Sequence, residues 1–202
     1  MMPAARESLL DAAYSALARR PWSAVRMVDV AAAAGVSRQT LYNEFGSKEG
    51  LARALVRREA DGYLAGAERA LATPSDPREK LTAAAEWTAS AARGNALVKA
   101  MLTGCWSERL PSLTLSAVPS SSAVPAQRRA DGPLPSPGDF VAIVRDRAVA
   151  LLAPPGTPRA DGADLARTCE LVVRLALSCV AAPPGEGGVA ELVRGVLSRQ
   201  PV

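Results

Sequence analysis

The side chains best suited to chemistry in this chain lie close together between residues 37 and 48. Gln39, Thr40 and Asn43 carry amide and hydroxyl groups, which donate and accept hydrogen bonds without ionising. Gln39 and Asn43 stand four apart, so on a helix they share one face. Carboxamides suit the adenine edge in the major groove of DNA, and Thr40 suits a base edge or a thymine methyl group. This segment therefore predicts contact with DNA bases.

Neighbouring polar residues are better suited to the DNA backbone than to bases. Arg38, Tyr42 and Lys48 are predicted to fix position on phosphates, Lys48 with help from the N-terminus of its helix. Arg26 is a weaker phosphate candidate, and Ser37 is predicted to cap the helix that carries the base-contacting residues. The simpler alternative for each is a solvated polar residue without a DNA contact.

These residues need a rigid support, and the segment from Val28 to Lys48 predicts one. Helix formers from Asp29 to Ala34 precede Gly35, which can end a helix in a left-handed conformation. Leu41 and Phe45 then give the following helix a buried face. A helix, a turn containing glycine and a helix with a polar outer face constitute a helix-turn-helix, whose second helix enters the major groove.

The stretch GVSRQTLYNEFGSKEGL resembles the signature of the TetR family of transcriptional regulators, and the resemblance covers about residues 9 to 55. It implies a DNA-binding domain followed by a helical domain that binds a small molecule. It also implies a homodimer, formed through the last two helices, on a palindromic operator. One departure concerns the helix before Val30, which the family usually caps with a small hydroxyl residue. This chain has Arg26 there, and an arginine at that edge could reach a phosphate instead.

Composition and charge agree with an all-α protein that meets DNA at one end. Apolar residues make up 49% of the 202 residues but aromatic ones only 4%, which favours close-packed helices. Residues 1–58 hold nine Lys and Arg against five Asp and Glu, which accounts for the whole net charge of +4. The remainder of the chain balances fifteen basic with fifteen acidic residues. The excess of positive charge therefore lies with the helix-turn-helix.

Several classes of function are disfavoured by what the sequence lacks. It contains no histidine, the commonest general base and metal ligand, and its three cysteines show no CxxC spacing. No GxSxG or phosphate-binding loop spacing occurs. We therefore expect no catalytic residue, no metal, no cofactor and no enzyme activity. With no apolar run of the roughly 20 residues that span a membrane, we expect a cytoplasmic protein without a membrane partner.

The pattern along the chain predicts an N-terminal DNA-binding domain, residues 1–47, and a helical effector-binding and dimerisation domain, residues 48–202. A connecting helix is predicted over 48–72, with weak points at Gly62 and Gly66. Residues 111–138 are rich in Pro, Ser and Thr and predict a mobile loop, either a lid over a pocket or a tolerated insertion. Further helices are predicted over residues 77–92, 96–106, 139–152, 161–182 and 186–199.

Two sets of residues are predicted to carry the functions of the larger domain. The wall of a mainly apolar ligand pocket is assigned to Trp87, Leu102, Trp106, Phe140 and Ile143, each of which could equally be plain core. The helix over 161–182 has two apolar rows, which suggests one side for the core and one for a partner. The predicted dimer interface takes from it and the last helix Leu165, Cys169, Val172, Ala176, Val189, Val193 and Val196.

The sequence as a whole favours a dimeric repressor released by a small, mainly apolar ligand. The main alternative is a DNA-binding regulator without such a ligand, controlled by a protein partner or constitutive. An enzyme and a dimerisation module without DNA contact are weaker alternatives. The effector, the operator and the choice between repression and activation are not encoded in any motif of this chain.

Overall fold

A computed structural model describes residues 3–73, 75–111, 134–154, 156 and 158–199. Throughout these residues the regular structure is helical, with no strand, so the predicted all-α class is confirmed. The chain forms two compact units. Unit 1 holds residues up to Glu59 and the described residues 106–111 and 134, and unit 2 holds residues 60–105 and the described residues from 135 onward. The predicted division at 47/48 remains our proposal for the functional domains.

Unit 1 contains three α-helices, a 3-10 turn and the start of a fourth, long helix. They are α1 (Pro3–Arg19), a 3-10 turn (Trp22–Ala24), α2 (Met27–Ala33), α3 (Arg38–Phe45) and the first half of α4 (Lys48–Leu71). Large apolar side chains at helical spacing meet in its centre, because each helix has one apolar face. The large, fully buried side chains of this core are Leu9, Val30, Leu41, Leu51, Leu55 and Val56.

Trp22 covers the core of unit 1 and is itself buried. Its backbone N–H donates to the carbonyl oxygen of Arg109 over 2.8 Å, so a stretch far along the sequence completes this unit. Pro111, at the end of the same stretch, is also buried. The predicted mobile loop over 111–138 falls for the most part outside the described residues.

Unit 2 consists of the second half of α4 and five further helices. They are α5 (Pro77–Gly94), α6 (Ala96–Thr103), α7 (Pro137–Leu152), α8 (Arg159–Ala181) and α9 (Gly188–Leu197). The helix predicted over 96–106 ends at Thr103, because Gly104 adopts a left-handed conformation with φ of 73°. Helix α7 begins two residues before its predicted start, since Ser136 and Asp139 form a capping box there.

Helices α4 and α5 approach each other closely where Gly66 faces the Trp87 ring. A Cβ atom placed on Gly66 would lie only 2.1 Å from that ring, so no larger residue fits without movement. The indole Nε1–H of Trp87 donates to the carbonyl oxygen of Tyr63 over 3.0 Å. The buried hydroxyls of Tyr63 and Thr88 are joined over 3.1 Å. Glycine in the middle of α4 therefore serves packing here.

The core of unit 2 is formed where α5, α8 and α9 pack together, and this overturns most of the predicted dimer interface. Cys169, Val172, Ala176, Val189 and Val193 are all buried inside the chain itself. They belong to the apolar row that faces α5, so they are not available to a second copy. Leu165 packs against the same cluster and is partly buried. Of the predicted set, Val196 is the other partly exposed residue.

The second apolar row of α8 lies at the surface. Leu171 is 40% exposed and Leu192 on α9 is 44% exposed, both large for leucine side chains. The two cysteines of α8 are buried, and burial raises the pKa of Cys169 to about 11. At neutral pH Cys169 is therefore an uncharged, small apolar core residue.

The described part of the chain contains no helix long and apolar enough to cross a membrane. Nor does it contain a group of three or more His, Cys, Asp or Glu side chains arranged to hold a metal ion.

Candidate DNA-binding surface

The turn between α2 and α3 is built as the sequence predicts. Gly35 has φ of 68°, a left-handed conformation that glycine adopts without steric cost. The backbone N–H of Val36 donates back to Ala31 over 3.0 Å and closes the turn. Ser37 then caps α3, since its hydroxyl oxygen accepts from the Thr40 N–H over 3.0 Å. The predicted cap at Ser37 is therefore confirmed, and it fixes the direction in which α3 leaves the turn.

Helix α3 presents two different faces. Leu41 is fully buried and Phe45 is half-buried, so these two anchor the helix on unit 1. Arg38, Gln39 and Asn43 are exposed on the rest of its circumference. Thr40 and Tyr42 are half-buried at the border between the two faces. The predicted base-contacting amides are thus available to a ligand as large as DNA.

The polar and aromatic side chains on and beside the outer face of α3 contact one another in pairs. The Gln39 Nε2 amide donates to Asn43 Oδ1 over 2.8 Å. The hydroxyls of Ser37 and Thr40 are 2.9 Å apart. The guanidinium of Arg38 lies over the Tyr42 ring, 5.3 Å from its centre. Because six polar groups hold one another, this face is partly ordered before any partner arrives.

Lys48 has a more complex setting than a free phosphate-binding residue. Its Nζ donates to the carbonyl oxygen of Ser23 over 3.1 Å and lies 5.7 Å from the centre of the Trp22 ring. The ammonium group has three donors, so two remain for other acceptors. Lys48 is also the first residue of α4, whose N-terminal amides favour negative charge. It joins the end of the helix-turn-helix to the 3-10 turn.

Arg26 stands at the N-cap position of α2 and makes no capping hydrogen bond. Its guanidinium instead donates twice to the Asp29 carboxylate, over 3.0 and 2.9 Å. Arg20 lies 3.3 Å from the same carboxylate. The hydrogen bond from Arg26 holds the pKa of Asp29 below its usual range. Asp29 thus neutralises part of the positive charge of Arg26, the residue predicted to contact a phosphate. The Arg26 side chain nevertheless remains highly exposed.

Arg6 is a contributor that the sequence patterns did not reveal. It lies on α1, 3.6 Å from the Glu44 carboxylate and 4.8 Å from the centre of the Phe45 ring. Both contacts hold the C-terminal end of α3. No sequence motif identifies Arg6, because its contacts with Glu44 and Phe45 depend on how α1 packs against α3. The only signal in the sequence was a basic residue just before the apolar residues of α1.

The residues of the predicted ligand wall line neither of two cavities in the described part of unit 2. Trp106 is 39% exposed and belongs to unit 1, so it is removed from the set. Leu102 and Phe140 are buried core residues, while Trp87 and Ile143 are half-buried. A cavity of about 10 Å³ lies among other residues, lined by Leu71, Leu81, Ala84, Ala85, Thr88, Val144, Ala148, Val172, Val173 and Ala176. Space of that size admits roughly one water molecule.

A larger depression of about 340 Å³ lies at the surface of unit 2, between α5 and the connection that leads to α9. Its lining is partly polar, with Glu86, Ser90 and Arg93 from α5. None of the five predicted wall residues contributes to it.

A capped helix-turn-helix with an exposed, polar second helix defines a DNA-binding protein. Residues 9–55 match the family profile described as bacterial regulatory proteins, tetR family. Over this segment the chain matches the DNA-binding domain of TetR-family transcriptional regulators, as its sequence signature predicts.

Two curated relatives match part of the chain. The HTH-type transcriptional regulator AlkX of Mycobacterium tuberculosis is 57% identical over 56 residues, which are 28% of this chain and 26% of that protein. The HTH-type transcriptional activator FasR of Mycolicibacterium smegmatis is 40% identical over 81 residues, 40% of this chain and 37% of that protein. The chain thus matches about a quarter to just over a third of the length of these relatives. Both are regulators, in keeping with the expectation that this chain is not an enzyme.

The fold match extends over the whole chain. The crystal structure of the TetR family repressor AlkX from Dietzia sp., implicated in biodegradation of n-alkanes, superposes with a TM-score of 0.52 at 23% sequence identity. The match covers 95% of this chain and 93% of that one. It confirms the predicted architecture of a helix-turn-helix domain followed by a larger helical domain.

Proposed function

We propose that this protein is a sequence-specific transcriptional regulator that binds a palindromic operator as a homodimer. The observation that carries the proposal is α3, whose exposed amides and arginine lie on a capped, well-anchored helix. Gln39, Thr40 and Asn43 contact bases, while Ser37, Arg38, Tyr42 and Lys48 position the helix on phosphates. Arg26 contributes less, because Asp29 already engages its guanidinium.

The dimer is supported by the exposed apolar row rather than by the residues first predicted. Leu171 and Leu192 are exposed, and Leu175 and Val196 stand one turn further along the same two helices and are partly buried. A second copy related by a two-fold axis would cover such a self-complementary patch. Two recognition helices about 34 Å apart would then meet successive turns of the major groove.

Selection of bound DNA from a random pool tests the DNA-binding proposal. Full-length protein should enrich a palindrome whose half-sites are one helical turn apart. Light scattering with size-exclusion chromatography should give twice the chain mass, and Leu171→Glu with Leu192→Glu should give a monomer. Leu151→Glu is the control, because Leu151 is an equally exposed leucine on α7 and its substitution should leave the dimer intact. Enrichment of unrelated sequences would contradict the proposal.

Control by a small, mainly apolar ligand is the finer part of the proposal. It follows the pattern of a repressor released when ligand binding favours a different dimer geometry. The composition of unit 2 supports an apolar ligand, since its core is built from Ala, Val and Leu. Ordinary ligand pockets occupy roughly 300–1,000 Å³, so the 10 Å³ cavity has to expand to admit one.

The filled core is also a specific observation in favour of the second candidate function. A regulator that answers to a protein partner, or is constitutive, needs no interior cavity. Thermal-shift screening with fatty acids, alkanes and other apolar compounds separates the two. A ligand present at 100 times its Kd should add about 2.7 kcal/mol of stability. Absence of any shift across the series, together with unchanged operator binding, would favour regulation without a small molecule.

A further inference from the structure

The hydrogen bond between Gln39 and Asn43 changes how the two residues can meet DNA. Taken from sequence alone, each amide could contact its own adenine. In the structure they lie one helical turn apart, both exposed, with Gln39 Nε2 donating to Asn43 Oδ1 over 2.8 Å. We name these two residues the amide pair.

Counting donors and acceptors shows what the amide pair still offers. A carboxamide has two N–H donors and an oxygen with two lone pairs. The bond uses one donor of Gln39 and one lone pair of Asn43. Asn43 keeps both of its donors and one lone pair on Oδ1, which is the full complement needed for bidentate contact with adenine N7 and N6. Gln39 keeps one donor and both lone pairs, but the bond to Asn43 Oδ1 holds its amide toward Asn43.

We propose that the amide pair acts as one unit, in which Asn43 contacts a single adenine and Gln39 is a positioning residue that holds the Asn43 amide in the required plane. The proposal rests on the DNA-binding function proposed above and revises one of its assignments, because Gln39 acts here through Asn43 and not by a base contact of its own. Holding the amide in place before binding lowers the entropy cost of ordering it against DNA.

The test uses the full-length protein and the sequence that it selects from a random DNA pool. Dissociation constants are measured for the wild type, Gln39→Ala, Asn43→Ala and the double variant on that sequence. The same measurements are made on DNA in which each base pair is changed in turn. For the wild type, replacing the contacted adenine should weaken binding by roughly 5- to 150-fold.

Both single variants should lose discrimination at the same base-pair position. The double variant should discriminate no worse there than Asn43→Ala alone, because Gln39 acts only through Asn43. Gln39→Glu retains the side-chain length but has no donor for Asn43 Oδ1, so it should lose discrimination at that position as well. Arg38→Ala is the matched control from the same helix, and it should weaken binding to all sequences about equally.

A merely structural role for Gln39 would lower affinity without changing the profile of base preference. An unchanged profile for Gln39→Ala would therefore overturn the proposal. Losses at two different base pairs, with fold-changes that multiply in the double variant, would overturn it too. Either result would leave the DNA-binding function intact. If the wild type enriches no sequence at all, the proposed function fails and the amide pair fails with it. Helical content from circular dichroism should be the same for every variant, since both residues are exposed.

Discussion

Unit 1 and unit 2 use the same kind of helix for different purposes. In unit 1, α3 buries Leu41 and exposes polar side chains that are hydrogen-bonded to one another. In unit 2, α8 and α9 bury nearly every large apolar residue of one face in a core that holds a cavity of about 10 Å³. The polar side chains of α3 are exposed and can be reached by a ligand, whereas the apolar side chains in the core of unit 2 are buried.

The difference explains why the two units are understood to different depths. Contact with DNA requires particular polar groups at a surface, and such groups leave a mark in the sequence. A pocket for an apolar ligand requires the same Ala, Val and Leu residues as a solid core. The match to the family profile follows this division, since it lies within residues 9–55 of unit 1.

The largest expected effect tests whether unit 2 is solid around Phe140. This side chain is 1% exposed, and its ring meets that of Tyr63 edge to face, with centroids 5.8 Å apart. Phe140→Ala should lower the free energy of unfolding by about 3–5 kcal/mol, measured by urea denaturation. Leu151→Ala is the control, because an exposed residue should change it by less than about 0.5 kcal/mol. A small loss at Phe140 would indicate a site that is already open.

The two glycines of α4 should respond in opposite directions. Gly66→Ala pushes a methyl group against the Trp87 ring and its hydrogen bond to Tyr63, so we expect a loss of about 1–3 kcal/mol. At Gly62 nothing lies within 4 Å, and Gly62→Ala should add about 0.5–1 kcal/mol through helix propensity. Thermal denaturation of the two variants side by side measures the difference. Equal behaviour would show that Gly66 is only a weak point in the helix.

In unit 1, the hydrogen bond by which Ser37 caps α3 should contribute measurably to the stability of the protein. Ser37→Ala removes the acceptor for the Thr40 N–H and should lower stability by about 1 kcal/mol. Its control is Ser8→Ala, because the Ser8 hydroxyl only donates to a carbonyl within α1. Chemical denaturation of both variants gives the comparison. The contrast with unit 2 would weaken if Ser37→Ala cost as much as Phe140→Ala.

The smallest expected effect is a difference between Arg38 and Arg26 in how each contributes to the salt dependence of DNA affinity. Arg38→Ala should lower the slope of log affinity against log salt by about one, the value for one lost phosphate contact. Arg26→Ala should lower it by less, since Asp29 already holds that guanidinium. Titrations from low to physiological salt measure both slopes. A full unit lost at Arg26 would show that Asp29 releases it to a phosphate.

Much of unit 1 could be predicted because its signals are local. Gly35 takes a left-handed conformation, the Ser37 hydroxyl accepts from an N–H only three residues on, and Leu41 and Phe45 are spaced for one helix face. The charge near the motif pointed to DNA for the same reason. Pairings between distant elements escaped prediction: nothing in the sequence links Arg6 to Glu44.

In unit 2 the helices were predicted but their partners were not. Periodicity shows that α8 has two apolar rows, yet it does not show which row faces α5. The row containing Cys169, Val172 and Ala176 was assigned to a dimer and proved to be core. Trp106 was placed in a pocket as an apolar residue on the inward face of a helix predicted over 96–106, but Gly104 ends α6 before reaching it. Each error concerns a contact whose two sides lie far apart in sequence.

The hydrogen bond from Trp22 to Arg109 has a practical consequence for protein engineering. Residues 9–55 match the family profile, so a fragment ending at Glu59 would be the natural choice for an isolated head. That fragment would leave the Trp22 N–H without its acceptor and omit the buried Pro111. Chimeric regulators that exchange heads between relatives should therefore transplant residues 106–111 together with the N-terminal segment. Trp22 is the sole tryptophan of a fragment that ends at Glu59, so its fluorescence would reveal the loss of the contact with Arg109.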